Sequence, residues 1–135
     1  SYKQSMTICS PSISQWAAIT ALNEDMKPTH EMVAVFKHRR DLMVEWLREI
    51  PGMEVDIPRG AFYLFPRVSS FYGKTIGGTT IDSSLDFCNY ILEEALVALV
   101  PGVAFGMDDH IRISYASSEA ELKEAVNRIK TALSK

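Results

Sequence analysis

The stretch V-A-L-V-P-G-V-A-F-G-M-D-D-H-I-R-I-S-Y-A, Val97 to Ala116, decides the fold. A short apolar run, Val97 to Val100, is cut by Pro101-Gly102, and after a glycine-containing loop to Asp109 a second run alternates in character. A period of two puts Ile111, Ile113 and Tyr115 on one strand face and His110, Arg112, Ser114 and Ala116 on the other. The greasy face needs a layer to cover it. The guanidinium in the middle of the other face presents a planar fork of donors suited to a carboxylate. Two readings of Arg112 are open: a carboxylate-binding group, or an edge-strand arginine whose stem packs on apolar surface while its head reaches water.

Downstream, Ser118 with Glu121 forms a capping box for a last helix whose stripe is Leu122, Ala125, Val126, Ile129 and Leu133. Immediately upstream, Asp82 or Ser83 caps a helix carrying Leu85, Cys88, Ile91, Leu92 and Ala95, which feeds into the Val97 to Val100 strand. Ser69 to Thr80 has glycines and little periodicity and reads as a mobile surface loop; Gly77-Gly78 lacks the strand-to-helix context of a phosphate-binding turn.

Further upstream, Met53 to Ile57 and Ala61 to Pro66 read as two strands paired in a hairpin through Pro58-Arg59-Gly60. Gly60 is either an ordinary turn glycine or a place where backbone must approach a ligand. Pro51-Gly52 ends a long helix, His30 to Glu49, capped by Thr29, whose stripe of Val33, Phe36, Met43, Leu47 and Ile50 is interrupted by Arg40. A first helix of about three turns runs from the Ser10-Pro11-Ser12 start to Asn23, with Ile13, Trp16, Ala17, Thr20 and Ala21 at helical spacing. The order helix, helix, strand, strand, helix, strand, strand, helix predicts an α/β two-layer (α+β) domain. Its mostly antiparallel sheet of three or four strands has helices on one face.

Composition narrows the function. A net charge of -3 and a pI near 5.6, with no basic cluster beyond Arg39-Arg40, argue against a nucleic-acid surface. No apolar run approaches a membrane span and no signal peptide is visible, so a cytoplasmic protein with no membrane partner is expected. Cys9 and Cys88 fit a reduced interior, and His30, His38 and His110 form no short metal motif and read as surface residues. No nucleophile elbow appears, and Glu93-Glu94 and Asp108-Asp109 read as structural charges. The start at Ser1-Tyr2-Lys3-Gln4, without an initiator Met, suggests a piece of a longer chain.

Several strings, in order and spacing, go further. Thr7-Ile8-Cys9-Ser10-Pro11-Ser12-Ile13-Ser14-Gln15, Pro58-Arg59-Gly60-Ala61-Phe62-Tyr63-Leu64-Phe65-Pro66, Val97 to Gly106 and Ile111-Arg112-Ile113-Ser114-Tyr115-Ala116 resemble the C-terminal part of class I pyridoxal-phosphate aminotransferases. The chain is most similar to the aspartate and aromatic branch. The resemblance implies residues 1–26 as a remnant of the large domain, including the first helix, and 27–135 as the small domain. It implies that Arg112 grips the substrate α-carboxylate, that Gly60 and Phe62 lie near the substrate, and that Ser5 and Thr7 approach a partner subunit's cofactor phosphate.

The family's cofactor-binding lysine, its pyridine-pairing aspartate, its stacking aromatic and its phosphate turn lie upstream, and none is recognisable here. Lys3 stands too close to the T-I-C-S-P string to be that lysine. The implied parent is a homodimer that uses pyridoxal 5'-phosphate to pass an amino group from an amino acid, aspartate or aromatic, to a 2-oxo acid. The fragment alone is expected to be inactive. The alternatives are a lyase or decarboxylase of the same fold, or a stand-alone binding or assembly module.

Overall fold

In a computed structural model, residues 9–135 are described, and Ser5 and Thr7 lie outside them. Helices α1 (Ser12–Asn23) and α2 (Lys27–Arg48) come first, then strands β1 (Tyr63–Leu64), β2 (Lys74–Ile76) and β3 (Thr79–Ile81). Helix α3 (Ser84–Ala95), strands β4 (Val100–Pro101) and β5 (Ile111–Ser114), and helix α4 (Glu119–Ala132) complete the order. The chain divides into two compact units, the boundary falling inside α2 after Val33.

In the first unit, α1 ends at Asn23 as its pattern predicts, and none of its residues is buried. The second helix starts at Lys27 rather than His30: the Asp25 carboxylate accepts from the Lys27 N–H at 3.0 Å, and Pro28 suits a first turn. Thr29 is therefore inside the helix and is not its cap.

The second unit is the expected two-layer domain. β5 is the middle strand of an antiparallel sheet ordered β1-β5-β4, with Tyr63 opposite Ser114, Leu64 opposite Ile113 and Val100 opposite Arg112. Ile111, Ile113 and Tyr115 are buried together with Met43, Val44 and Leu47 of α2, Phe87 and Ile91 of α3, and Leu122, Val126 and Ile129 of α4. The helices thus cover the apolar face of the sheet. Arg40, which interrupts the α2 stripe, pairs with Asp41 and donates to the Pro58 carbonyl at 3.2 Å.

Three local expectations need correction. The hairpin between Met53–Ile57 and Ala61–Phe65 does not form. Met53 and Val55 are buried as the alternation demands, but only Glu54 is paired, and its partner is Arg67. The Val55 carbonyl is instead taken by the Arg48 guanidinium, at 3.1 and 2.7 Å, and β1 finds its partner in β5. The presumed loop from Ser69 to Thr80 holds a 3₁₀ turn, Ser69–Phe71, and the β2–β3 hairpin, turned by Gly77 and Gly78 at φ 56° and 87°. Two consecutive positive-φ residues match the right-handed twist of the flanking strands. Finally, α3 closes at Leu96 in the left-handed conformation, Val97 to Leu99 lie outside any strand, with Val97 and Leu99 packed against the core, and β4 begins only at Val100.

Candidate functional site

Arg112 sits where the alternation puts it, half-buried on the face of β5 opposite the core, but on a central strand and not an edge. Its surroundings are aromatic. The guanidinium carbon lies 4.8 Å from the Phe105 ring centroid and 5.4 Å from that of Tyr63. Tyr63 reaches it diagonally from β1, and Phe105 comes from the 3₁₀ turn Gly102–Phe105 between β4 and β5. Among the described residues, no carboxylate pairs with Arg112 and no acceptor takes its N–H groups. Ring faces attract a cation without consuming its hydrogens. A planar fork of donors is thereby held on a stiff strand with its hydrogen-bonding capacity unspent, an arrangement suited to a two-oxygen anion.

The other predicted residues, Gly60 and Phe62, lie in the segment just before β1, the edge strand beside β5. Phe62 is exposed, and its ring meets Tyr63 edge-on at 5.9 Å. Gly60 needs no left-handed conformation, and an added Cβ would meet nothing within 4 Å, so this chain itself gives no packing reason for glycine there. Between them, Ala61 holds φ 65°, a strained backbone for an L side chain. Tyr115 secures it from the core. Its hydroxyl donates to the Ala61 carbonyl at 2.9 Å, and its N–H donates to the Phe62 carbonyl at 2.9 Å. Burial pushes the Tyr115 phenol above its ordinary pKa.

Sequence reasoning missed Tyr63, Phe105 and the hydroxyl of Tyr115. The available signal was a bulky aromatic between Gly102 and Gly106, in a loop that joins the strand opposite Arg112 to the strand bearing it. His110 is not the free surface residue expected: its ring stacks on Phe65 at 5.0 Å and its Nδ1 lies 2.7 Å from Asp109. Asp109 also meets Arg67 at 3.1 Å. The hydrogen bond with His110, ahead of the charges around it, holds the Asp109 carboxyl below the usual range. Cys88 is buried but Cys9 is exposed, against the expectation of two interior thiols. Among the described residues no cluster could hold a metal ion, and no helix is long and apolar enough to cross a membrane.

A surface groove of about 440 Å³, lined by Leu96, Val97, Ser114, Glu121 and Arg128 among others, lies apart from the arginine fork. Its guanidinium, Arg128, is already paired with Glu124 at 2.8 Å.

The match to known families decides the lineage: residues 2–129 fit the model of aminotransferase class I and II. This chain belongs to the class I and II aminotransferases. The aspartate aminotransferase of Rhizobium meliloti (strain 1021) is 49% identical over 127 residues, which are 93% of this chain and 31% of that protein. A bifunctional aspartate aminotransferase and glutamate/aspartate-prephenate aminotransferase of Petunia hybrida is 49% identical over 126 residues, 90% of this chain and 26% of that one. The crystal structure of the Rhizobium meliloti aspartate aminotransferase superposes with a TM-score of 0.92 at 46% identity, covering 98% of this chain and 33% of that one. The chain thus spans about a third or less of the aminotransferases it matches. Every lysine among the described residues is exposed, and none stands by the Arg112 fork in a pairing or stacking contact. The described residues do not fit a pyridoxal phosphate site by themselves.

Proposed function

We propose that the protein carrying this chain is a pyridoxal 5'-phosphate-dependent aminotransferase that moves an amino group between an amino acid, aspartate or aromatic, and a 2-oxo acid. This chain supplies the substrate's carboxylate grip. Residues 27–135 are read as the small domain and residues 1–26, with α1, as a strip of the large one. The single observation that carries the proposal is the Arg112 fork, fixed on the central strand by aromatic rings and matched to no acid of its own.

The roles follow from geometry and chemistry. Arg112 binds and orients the α-carboxylate through two parallel N–H bonds, which fixes the reacting end of the substrate. Open space beside Gly60 admits the substrate backbone, and the exposed Phe62 ring forms part of the wall. The cofactor would supply the electron sink, held by residues elsewhere in the parent. The parent is read as a cytoplasmic homodimer in which Ser5 and Thr7 approach the partner subunit's cofactor phosphate. That part rests on the resemblance of the segment up to Gln15 and on the uncovered apolar residues of α1.

Substitution in the full-length enzyme tests the grip. Arg112→Ala leaves a carboxylate unpaired, a cost of about 2 to 5 kcal/mol, so kcat/KM for amino acids should fall by about 30-fold to several thousand-fold. Arg112→Lys should recover only part, since an ammonium cannot make the bidentate pair. Pyridoxal phosphate content, assayed after alkaline release, should be unchanged. Near-normal kcat/KM in Arg112→Ala would overturn the assignment.

A further inference from the structure

We propose that Phe105 is a positioning residue for the arginine fork, set in place by a Ser84–Asp108 clamp at the start of α3, so that residues outside the site tune carboxylate affinity. This rests on reading Arg112 as the carboxylate anchor. A long side chain with no acid to pin it has several rotamers available, and here the two rings select among them. Tyr63 is fixed by the strand ladder. Phe105 rides on a loop and needs another constraint.

That constraint is built from both sides of the loop. The Gly102 N–H donates to the His110 carbonyl at 2.9 Å and the Met107 N–H donates to the Gly102 carbonyl at 3.0 Å, closing the loop on itself. A Cβ on Gly102 would stand 2.1 Å from the Met107 carbonyl oxygen and 2.3 Å from that of His110, so this closure requires glycine.

Asp108 then ties the loop to α3. Its Oδ1 accepts from the Ser84 N–H at 3.1 Å and from the Ser84 hydroxyl at 2.6 Å. The same hydroxyl accepts from the Val103 N–H at 3.2 Å, two residues before Phe105. Ser84 is wholly buried, and Ser83 already caps α3 by accepting from the Asp86 N–H. The Ser84 hydroxyl is therefore free to serve the loop. On the far side, Phe65 meets Phe105 edge-on at 6.0 Å.

The full-length enzyme tests this with Phe105→Leu, Phe105→Trp, Ser84→Ala and Arg112→Lys, using succinate as a non-reacting dicarboxylate probe alongside kcat and KM. Phe105→Leu should raise the succinate Kd and the amino-acid KM by about three- to tenfold, a larger change than in kcat. Phe105→Trp, which keeps a ring face, should restore affinity, and Ser84→Ala should shift Kd in the same direction as Phe105→Leu. An unaltered Kd in Phe105→Leu, while Arg112→Lys weakens succinate, overturns the positioning role alone. A loss of thermal stability in Ser84→Ala without a change in Kd overturns the clamp. An unaltered Kd in Arg112→Lys overturns the anchor reading on which both depend.

Discussion

Ser118 and Glu121 show how one pair of side chains fixes a helix start. The Ser118 hydroxyl accepts from the Glu121 N–H at 3.3 Å, and the Glu121 carboxylate accepts from the Ser118 N–H at 3.1 Å. Hydrogen bonds from Ser118 hold the Glu121 carboxyl below its ordinary pKa. A carboxyl depressed on folding contributes stability above its unfolded pKa and loses that contribution as pH falls through the folded value. Ser118→Ala should therefore cost about 1 kcal/mol at pH 7 in urea denaturation, with a smaller deficit at pH 3. An equal deficit at both pH values would speak against the carboxylate's part. The cysteines differ by burial. Desolvation pushes the Cys88 thiol up to about 12, whereas Cys9 is exposed. Iodoacetamide at pH 8 should modify Cys9 in the native protein and Cys88 only after unfolding, as peptide mass mapping would show.

Two glycines in different connections, Gly102 between β4 and β5 and Gly60 before β1, make the element-scale contrast. A methyl group at Gly102 has to displace backbone carbonyls, so Gly102→Ala should cost about 1 to 3 kcal/mol and lower Tm. At Gly60 the same methyl meets open space, so Gly60→Ala should leave stability within about 0.5 kcal/mol. In the full-length enzyme it should nevertheless raise KM if, as proposed, the substrate occupies the space it fills. Thermal melts of both variants check the first pair of statements. A Gly60→Ala variant with unchanged KM would remove Gly60 from the site. Neither outcome could be read from local sequence, where each glycine lies within two residues of a proline, Pro58 or Pro101, and reads as part of a turn.

At the scale of the whole molecule, the two compact units differ in what they bury. The unit beyond Val33 has a continuous core, whereas α1 leaves Ile13, Trp16, Ile19 and Leu22 between 50% and 85% exposed. A surface of that kind associates unless something covers it. Light scattering of the isolated chain should show mass rising with concentration, and Trp16→Glu should reduce the rise. A monodisperse monomer in the unsubstituted chain would overturn this expectation. What the sequence by itself determined was local: the period-two alternation of β5, the face that bears Arg112, the capping box at Ser118, the end of α1 at Asn23 and the helical stripes that cover the sheet. These depend on neighbours a few residues apart and on side-chain direction. Only the tertiary structure decided that β5 lies in the middle of its sheet, that β1 pairs with it rather than with Met53–Ile57, and that Phe105 and Tyr63 meet over the guanidinium. Those outcomes depend on which distant partner satisfies each backbone group, as when Arg48 takes the Val55 carbonyl, and a hydrophobic period carries no label for its partner.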